Sequence, residues 1–361
     1  MRVALLANLQ KNAPTWPGMP ADRWDDLDSQ ETIDAILAAL RAGGHDATFV
    51  EGNLSLLETL PRLQPDICFN ICEGHWGDSR EAQVPAILEM LRIPYTGSGV
   101  LTLALTLDKP MTKRVLAYHN LATPAFQTFE RVTEPLDPDM RFPLFVKPSR
   151  EGTGMGITAE SIVHDERQLR IQLRRQFDTY DQPILVERFI EGREVTLGLL
   201  GNLTSPVAWR LPEDLEAPRI SRGLHFFPPL EVDMTRYPEE EAGVYTSRMK
   251  TEWANQFYYH CPAPLPAELV EELNWLAAAT FRVTGCFDVG RVDFRLDAHD
   301  NDKPYILEIN PLPGLNPGYS DLPLEAQADG WTFEQLVNRI LTEAIDRYGL
   351  TETVPALSMP I

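Results

Sequence analysis

Two stretches decide the fold: Arg291-Val292-Asp293-Phe294-Arg295-Leu296 and Tyr305-Ile306-Leu307-Glu308-Ile309-Asn310. Each alternates polar and apolar residues, the period of a half-buried strand. The polar run from Asp297 to Lys303 between them makes a turn. Centred between Asp300 and Asn301 without a bulge, the hairpin sets Asp293 opposite Glu308 and Arg291 opposite Asn310. Residues two apart share a face, so one face presents Arg291, Asp293, Glu308 and Asn310 together. Two carboxylates and a carboxamide beside an arginine suit a hard cation that also touches phosphate oxygens. A solvated strand face is the competing reading.

A second signal lies upstream, in Lys147-Pro148-Ser149-Arg150-Glu151-Gly152-Thr153-Gly154-Met155-Gly156. Glycines at alternate positions let backbone N–H groups approach a polyphosphate without interference from Cβ. Lys147, at the end of the preceding strand, can supply a point charge. The loop lacks the Gly-Lys-Ser/Thr end of a Walker loop, and a flexible hairpin tip would contain similar glycines.

The first hundred residues alternate strand and helix. Strands are expected at Arg2–Ala7, Ala47–Val50 and Ile67–Ile71, and helices at Ser29–Arg41 and Glu81–Leu91. That alternation predicts a parallel sheet covered on both faces, with ligands at the carboxyl ends of its strands. The loop from Asn8 to Asp28, with three prolines and two tryptophans, is long enough to suggest a function. A second unit holds a helix from Lys109 to Tyr118, a strand at Leu144–Lys147, a helix at Glu166–Phe177 and a strand at Ile184–Glu187. A third holds an irregular stretch from Arg219 to Pro264, a helix at Ala267–Thr284, the hairpin and a C-terminal helix. The expected division is 1–107, 108–198 and 199–350.

With 32 basic against 53 acidic residues, the formal net charge of −21 disfavours a duplex nucleic-acid partner. No run approaches the roughly 18 apolar residues of a membrane span. Cys68, Cys72, Cys261 and Cys286 have no C-x-x-C spacing, so buried free thiols in a reducing compartment are expected. A cytoplasmic protein without a membrane partner is the resulting expectation.

The motifs Tyr95-Thr-Gly-Ser-Gly99, Asp108-Lys109, Val146-Lys-Pro-Ser-Arg-Glu-Gly152, Glu187-Arg-Phe-Ile-Glu-Gly192, Gly290-Arg-Val-Asp293 and Leu307-Glu-Ile-Asn-Pro311 occur in that order. Together they resemble the D-alanine–D-alanine ligase family of the ATP-grasp superfamily. The resemblance implies an ATP-grasp fold of mixed α/β class with three domains. These would be an N-terminal α/β substrate domain, a central domain with the glycine loop, and a C-terminal domain with the metal site and a lid. It also implies an ATP- and Mg²⁺-dependent ligase that joins a carboxylate to an amine through an acylphosphate. By this resemblance Lys109 and Lys147 contact ATP phosphates, beside Gly152, Thr153 and Gly154. Glu187 meets the adenine amino group, Phe189 and Ile190 line the hinge, and Glu194 holds the ribose. Asp293, Glu308 and Asn310 hold two Mg²⁺ ions, with Mn²⁺ as a substitute. Arg291 and the backbone of Gly314 stabilise the tetrahedral intermediate. Lys250 closes on the γ-phosphate from a lid spanning Arg219–Pro264, Ser320 binds a substrate carboxylate, and a homodimer is the family expectation.

The departures from the family cluster where it recognises amino acids. Its glutamate segment after the first strand is absent, and Asp22, Asp25, Asp26 and Asp28 of the long loop are candidate replacements. Thr153 stands at the family's serine, and Thr251 stands where a tyrosine follows the lid lysine. His75 matches the family's histidine, Glu73 is an additional carboxylate nearby, and the segment after Pro311 is one residue longer. A changed substrate shell normally means changed substrates. Three readings therefore stand: a divergent D-alanine–D-alanine ligase, a ligase for another amino acid, dipeptide or natural-product carboxylate, and a non-catalytic ATP-binding protein.

Overall fold

The computed structural model describes residues 1–203, 223–236 and 259–350. Strand β1 (Arg2–Ala7) is buried on both sides from Val3 onward, as an apolar central strand must be. Val3, Leu5 and Ala7 face one core, and Ala4 and Leu6 face another. Helix α1 (Gln30–Ala42) starts where Ser29 Oγ accepts the N–H of Thr32 at 3.1 Å. Its apolar stripe, Ile33, Ile36, Leu37 and Leu40, covers the first face. Then follow β2 (Asp46–Glu51), α2 (Leu56–Leu63), β3 (Ile67–Asn70) and α3 (Gln83–Leu91). The three strands form a parallel sheet in the order β2-β1-β3, with α2 and α3 on the opposite face from α1. This is the covered parallel sheet the alternation predicts.

Helices α4 (Val100–Leu107) and α5 (Lys109–Tyr118) lead to a four-stranded sheet. It comprises β4 (Phe126–Phe129), β5 (Leu144–Pro148), β6 (Ile162–Val163) and, after helix α6 (Glu166–Tyr180), β7 (Ile184–Arg188). Their order is β4-β7-β5-β6, and Leu169 and Leu173 of α6 fill the core beneath.

The last sheet contains β8 (Gly192–Gly201), β9 (Leu224–Phe226), β10 (Leu230–Val232) and β11 (Tyr259–His260). Helix α7 (Ala267–Thr284) precedes the hairpin β12 (Val289–Asp297) and β13 (Lys303–Asn310), and helices α8 (Asp321–Ala328) and α9 (Phe333–Tyr348) end the fold. The sheet order is β11-β10-β8-β12-β13, with β9 also on β8. Val195, Leu197 and Leu199 of β8 and Val292, Phe294 and Leu296 of β12 bury one face under α7. The intervening residues face the site described below. Among the described residues no helix is long and apolar enough to cross a membrane.

Three details depart from expectation. Strand β8 runs across the division expected at residue 198 and belongs wholly to the third sheet. The described parts of the stretch expected to be irregular form β9, β10 and β11, because Leu230 and Val232 find a hydrophobic cluster beside β8. Helix α9, at the end of the chain, shares the core of the N-terminal sheet through Leu336, Ile340 and Ala344.

The hairpin carries a bulge that the sequence reading left out. Asp293 pairs with Glu308 and Arg291 with Asn310, but on the turn side Phe294 pairs with Ile306 and Asp297 with Lys303. Leu307 is the extra residue. It recentres the turn on Asp300 and lets two consecutive side chains, Leu307 and Glu308, line the same cleft.

Candidate active site

A cleft lies between the second and third sheets. The second sheet contributes Phe145, Lys147 and Glu187; the third contributes Glu194, Thr196, Arg291, Asp293 and Glu308. A second, roomier cavity runs from there towards the N-terminal sheet. The two share walls at Lys109, Gly152, Gly154, Arg291, Glu308 and Asp321.

The floor of the first cleft is a buried chain of charges. Lys147 Nζ lies 2.7 Å from Glu187 Oε1, and Lys113 Nζ lies 2.7 Å from Glu187 Oε2. Burial alone would raise the Glu187 carboxyl, yet the two lysines hold it below its usual range. Burial disfavours charge on Lys147 too, but Glu187 and Glu308 more than offset this and raise its pKa. Lys113, fully buried, is shifted down because desolvation wins there. Its position one helical turn beyond Lys109 was the available signal for this unpredicted member.

Lys109 opens α5, where Asp108 caps the helix by accepting the N–H of Met111 at 3.0 Å. Its ammonium donates to the Glu151 carbonyl at 2.6 Å and lies 3.3 Å from Glu308 Oε2. Burial would push Glu308 upward, but Lys109, Lys147 and Arg291 bring its pKa down to about 2. It stays a carboxylate throughout the physiological range.

Asp293 is held from three sides. Arg291 donates to both of its oxygens at 2.9 Å, Asn310 Nδ2 to Oδ2 at 2.9 Å, and the Thr196 hydroxyl to Oδ1 at 2.7 Å. Arg291 also lies 3.4 Å from Asp321. Among the described residues no group of three or more His, Cys, Asp or Glu is arranged to hold a metal. The donor set of two carboxylates and an amide oxygen nevertheless fits Mg²⁺, which takes one or two carboxylates and completes its shell with phosphate oxygens and water.

The glycine loop is held from the N-terminal side. Asp22 Oδ2 accepts the N–H of Gly156 at 2.9 Å and the Tyr180 hydroxyl at 2.8 Å. Arg23 reaches Glu151 at 2.7 Å, and Arg80 bridges Glu151 at 3.0 Å and Asp26 at 3.2 Å. A Cβ on Gly156, at φ +73°, would meet Pro148 and Tyr180 at 2.8 Å. Trp16, Trp24 and Trp76, with ring centroids 5.5–6.0 Å apart, pack on one another and fix the long loop.

The profile of the family described as "D-ala D-ala ligase C-terminus" matches residues 114–212 and 230–342. The D-alanine–D-alanine ligase of Syntrophotalea carbinolica is 34% identical over 335 residues, covering 93% of this chain and 96% of that protein. The chain belongs to the D-alanine–D-alanine ligase family. An uncharacterized protein of Sinorhizobium fredii is 36% identical over 362 residues, 96% of this chain and 98% of its own. In structure, the D-alanine–D-alanine ligase of Bacillus anthracis complexed with ATP superposes with a TM-score of 0.69 at 23% identity, covering 98% of this chain and 100% of that one. The fold is ATP-grasp. Family membership makes the protein an ATP-dependent ligase that forms an amide bond, and the family in general uses ATP and Mg²⁺.

Within this family member, Lys109, Lys147, Gly152, Gly154, Glu187, Phe189, Ile190, Glu194, Arg291, Asp293 and Glu308 line the first cleft. Asn310, Gly314, Ser320, Glu73 and Thr153 line the second cavity. Thr153 sits at φ +52°, a left-handed conformation that costs a β-branched residue energy. The Ser320 hydroxyl accepts the N–H of Asn316 at 3.0 Å. His75 lines neither cavity and packs edge-to-face on Trp24 at 5.3 Å. Of the loop aspartates, Asp25, Asp26 and Asp28 line the second cavity while Asp22 turns to the glycine loop. Lys250 and much of the expected lid lie outside the described residues.

Proposed function

We propose that the protein binds ATP in the first cleft and activates a carboxylate held in the second cavity, then joins it to an amine. The carrying observation is that the two cavities meet at Lys109, Arg291 and Glu308. A γ-phosphate reaching that junction would face the substrate carboxylate.

In the proposed sequence, a carboxylate oxygen attacks the γ-phosphorus and the bond to the β-phosphate oxygen breaks, releasing ADP. The amine then attacks the acyl carbon, phosphate leaves with the bridging oxygen, and the nitrogen loses a proton. Lys109 and Lys147 would bind phosphate oxygens, and the N–H groups of Gly152, Thr153 and Gly154 would approach them from above. Phe189 and Ile190 would flank the adenine and Glu194 the ribose. Asp293, Glu308 and Asn310 would hold Mg²⁺, which neutralises phosphate charge. Arg291, tied to Asp293 and Asp321, would stabilise the oxyanion together with the Gly314 N–H, and Ser320 would bind a substrate carboxylate. Glu187 would act by holding Lys147 and Lys113 in place as well as by meeting the adenine. The three-domain division is proposed with β8 assigned to the last unit.

The acidic lining of the second cavity favours a substrate other than D-alanine alone. The test is phosphate release from ATP and Mg²⁺ across single and paired D- and L-amino acids, with mass spectrometry of products. Release with D-alanine and a D-alanyl-D-alanine product would return the protein to the family reaction. Release with another acceptor would make it a repurposed ligase, and ATP binding without any release would leave a nucleotide-binding protein.

A further inference from the structure

One wall of the second cavity is lined by Asp26, Asp28, Glu73 and Glu81, with Glu81 near enough to Lys109 to feel its charge. Among the described residues the ion pairs of this group run to Arg80 alone, and Arg80 is shared with Glu151. Among the described residues one arginine therefore serves these four carboxyls and Glu151 together.

A second observation points to a ligand. The Asp26 side chain is 6% exposed, and its Oδ2 pairs with Arg80. Its other oxygen, Oδ1, is buried with no hydrogen-bond partner among the described residues. A buried carboxylate oxygen without a donor, in the wall of a cavity, is a position where a bound N–H belongs. The carboxylates are not gathered as metal ligands are, since no group of three or more among the described residues could hold an ion.

We propose that this cavity takes a dibasic amino acid, whose two ammonium groups are shared among Asp26, Asp28, Glu73 and Glu81. This rests on the ligase reading above. A single α-ammonium would answer one or two of the four carboxylates. A side-chain ammonium two to four carbons away answers the rest, while the carboxylate stays at the Lys109 and Arg291 junction. Burial raises all four carboxyls above their usual range, so an incoming ammonium displaces a proton from the group as it binds.

The experiment compares 2,4-diaminobutyrate, ornithine and lysine with 2-aminobutyrate, norvaline and norleucine, both enantiomers of each, in the phosphate-release assay with product mass. The expected result is a KM at least tenfold lower for the dibasic member of each pair. Asp26→Asn and Glu73→Gln, each checked for folding by thermal unfolding, raise the KM of the dibasic member at least fivefold more than that of its neutral analogue. Two variants guard against one that fails to fold. Equal kcat/KM for neutral and dibasic members, unchanged by either substitution, overturns the inference and leaves the ligase intact. No phosphate release with any member of either series overturns the inference, and the ligase reading falls with it only where the wider amino-acid panel is silent too.

Discussion

Asp293 stands directly opposite Glu308 across the β12–β13 ladder, and the bulge at Leu307 sits immediately beside that pair. The two carboxylates are thus fixed by backbone pairing, while the bulge turns Glu308 and its neighbour into one cleft. One is answered by Arg291 and the other by Lys109. Asp293→Asn and Glu308→Gln keep the shape of the site and remove a hard anionic donor. Each is expected to lower Mg²⁺-dependent turnover by more than about 100-fold, since loss of outer-shell support alone costs 10–100-fold. Circular dichroism of both variants should match the parent. Near-full turnover in both would remove the metal assignment.

Glu187 is the shared anion of Lys113 and Lys147, at 2.7 Å from each. Glu187→Gln leaves two buried ammonium groups without their counter-charge. A loss of about 3–5 kcal/mol of stability is expected, the cost of breaking a buried pair by removing one partner. Denaturant unfolding measures it, and a change below about 1 kcal/mol would contradict the account.

Asp22 ties the N-terminal loop to Gly156 and Tyr180. Asp22→Ala leaves a loop N–H unanswered and should destabilise by about 1–3 kcal/mol. Because the tether acts on the glycine loop, limited proteolysis within residues 150–157 should quicken and KM for ATP should rise. An unaltered cleavage pattern would show that the loop needs no tether.

Burial raises Asp28 to about 7, with Asp26 adding to the effect. A carboxyl whose folded value lies above its unfolded one holds its proton in the native state over the window between them. Stability from this group is therefore present below about pH 4 and falls as pH rises towards 7. Asp28→Asn removes that loss. The variant should gain on the order of 1–2 kcal/mol relative to the parent on going from pH 4 to pH 8, after allowance for partial solvent access. A constant difference across that range would contradict the shift.

The hairpin was legible because both strands alternate cleanly, and alternation fixes which side chains share a face. Its bulge was not, because Leu307 differs in nothing from an ordinary apolar strand residue. Lys147 could be read from its place beside a glycine loop, and Lys109 from the Asp108-Lys109 motif that carries the family resemblance. Lys113 offered only its place one turn beyond Lys109, and Arg80 and Glu151 offered no signal, because their roles arise from burial against residues far along the chain. The same limit applies to the loop aspartates, whose composition is alike while their partners differ. Asp22 reaches across to Tyr180, 158 residues away. Helices α2 and α4 also escaped the reading. Both are only eight residues long, too short for periodicity to be decisive.

The most direct test of the central claim follows one oxygen atom. With the substrate carboxylate labelled with ¹⁸O, turnover should deliver one labelled oxygen into each phosphate released, alongside an amide whose mass is the sum of the substrates less one water. Amide product with unlabelled phosphate would show that the carboxylate never attacked the γ-phosphorus, and the proposed assembly of the two cavities around Lys109 would fail.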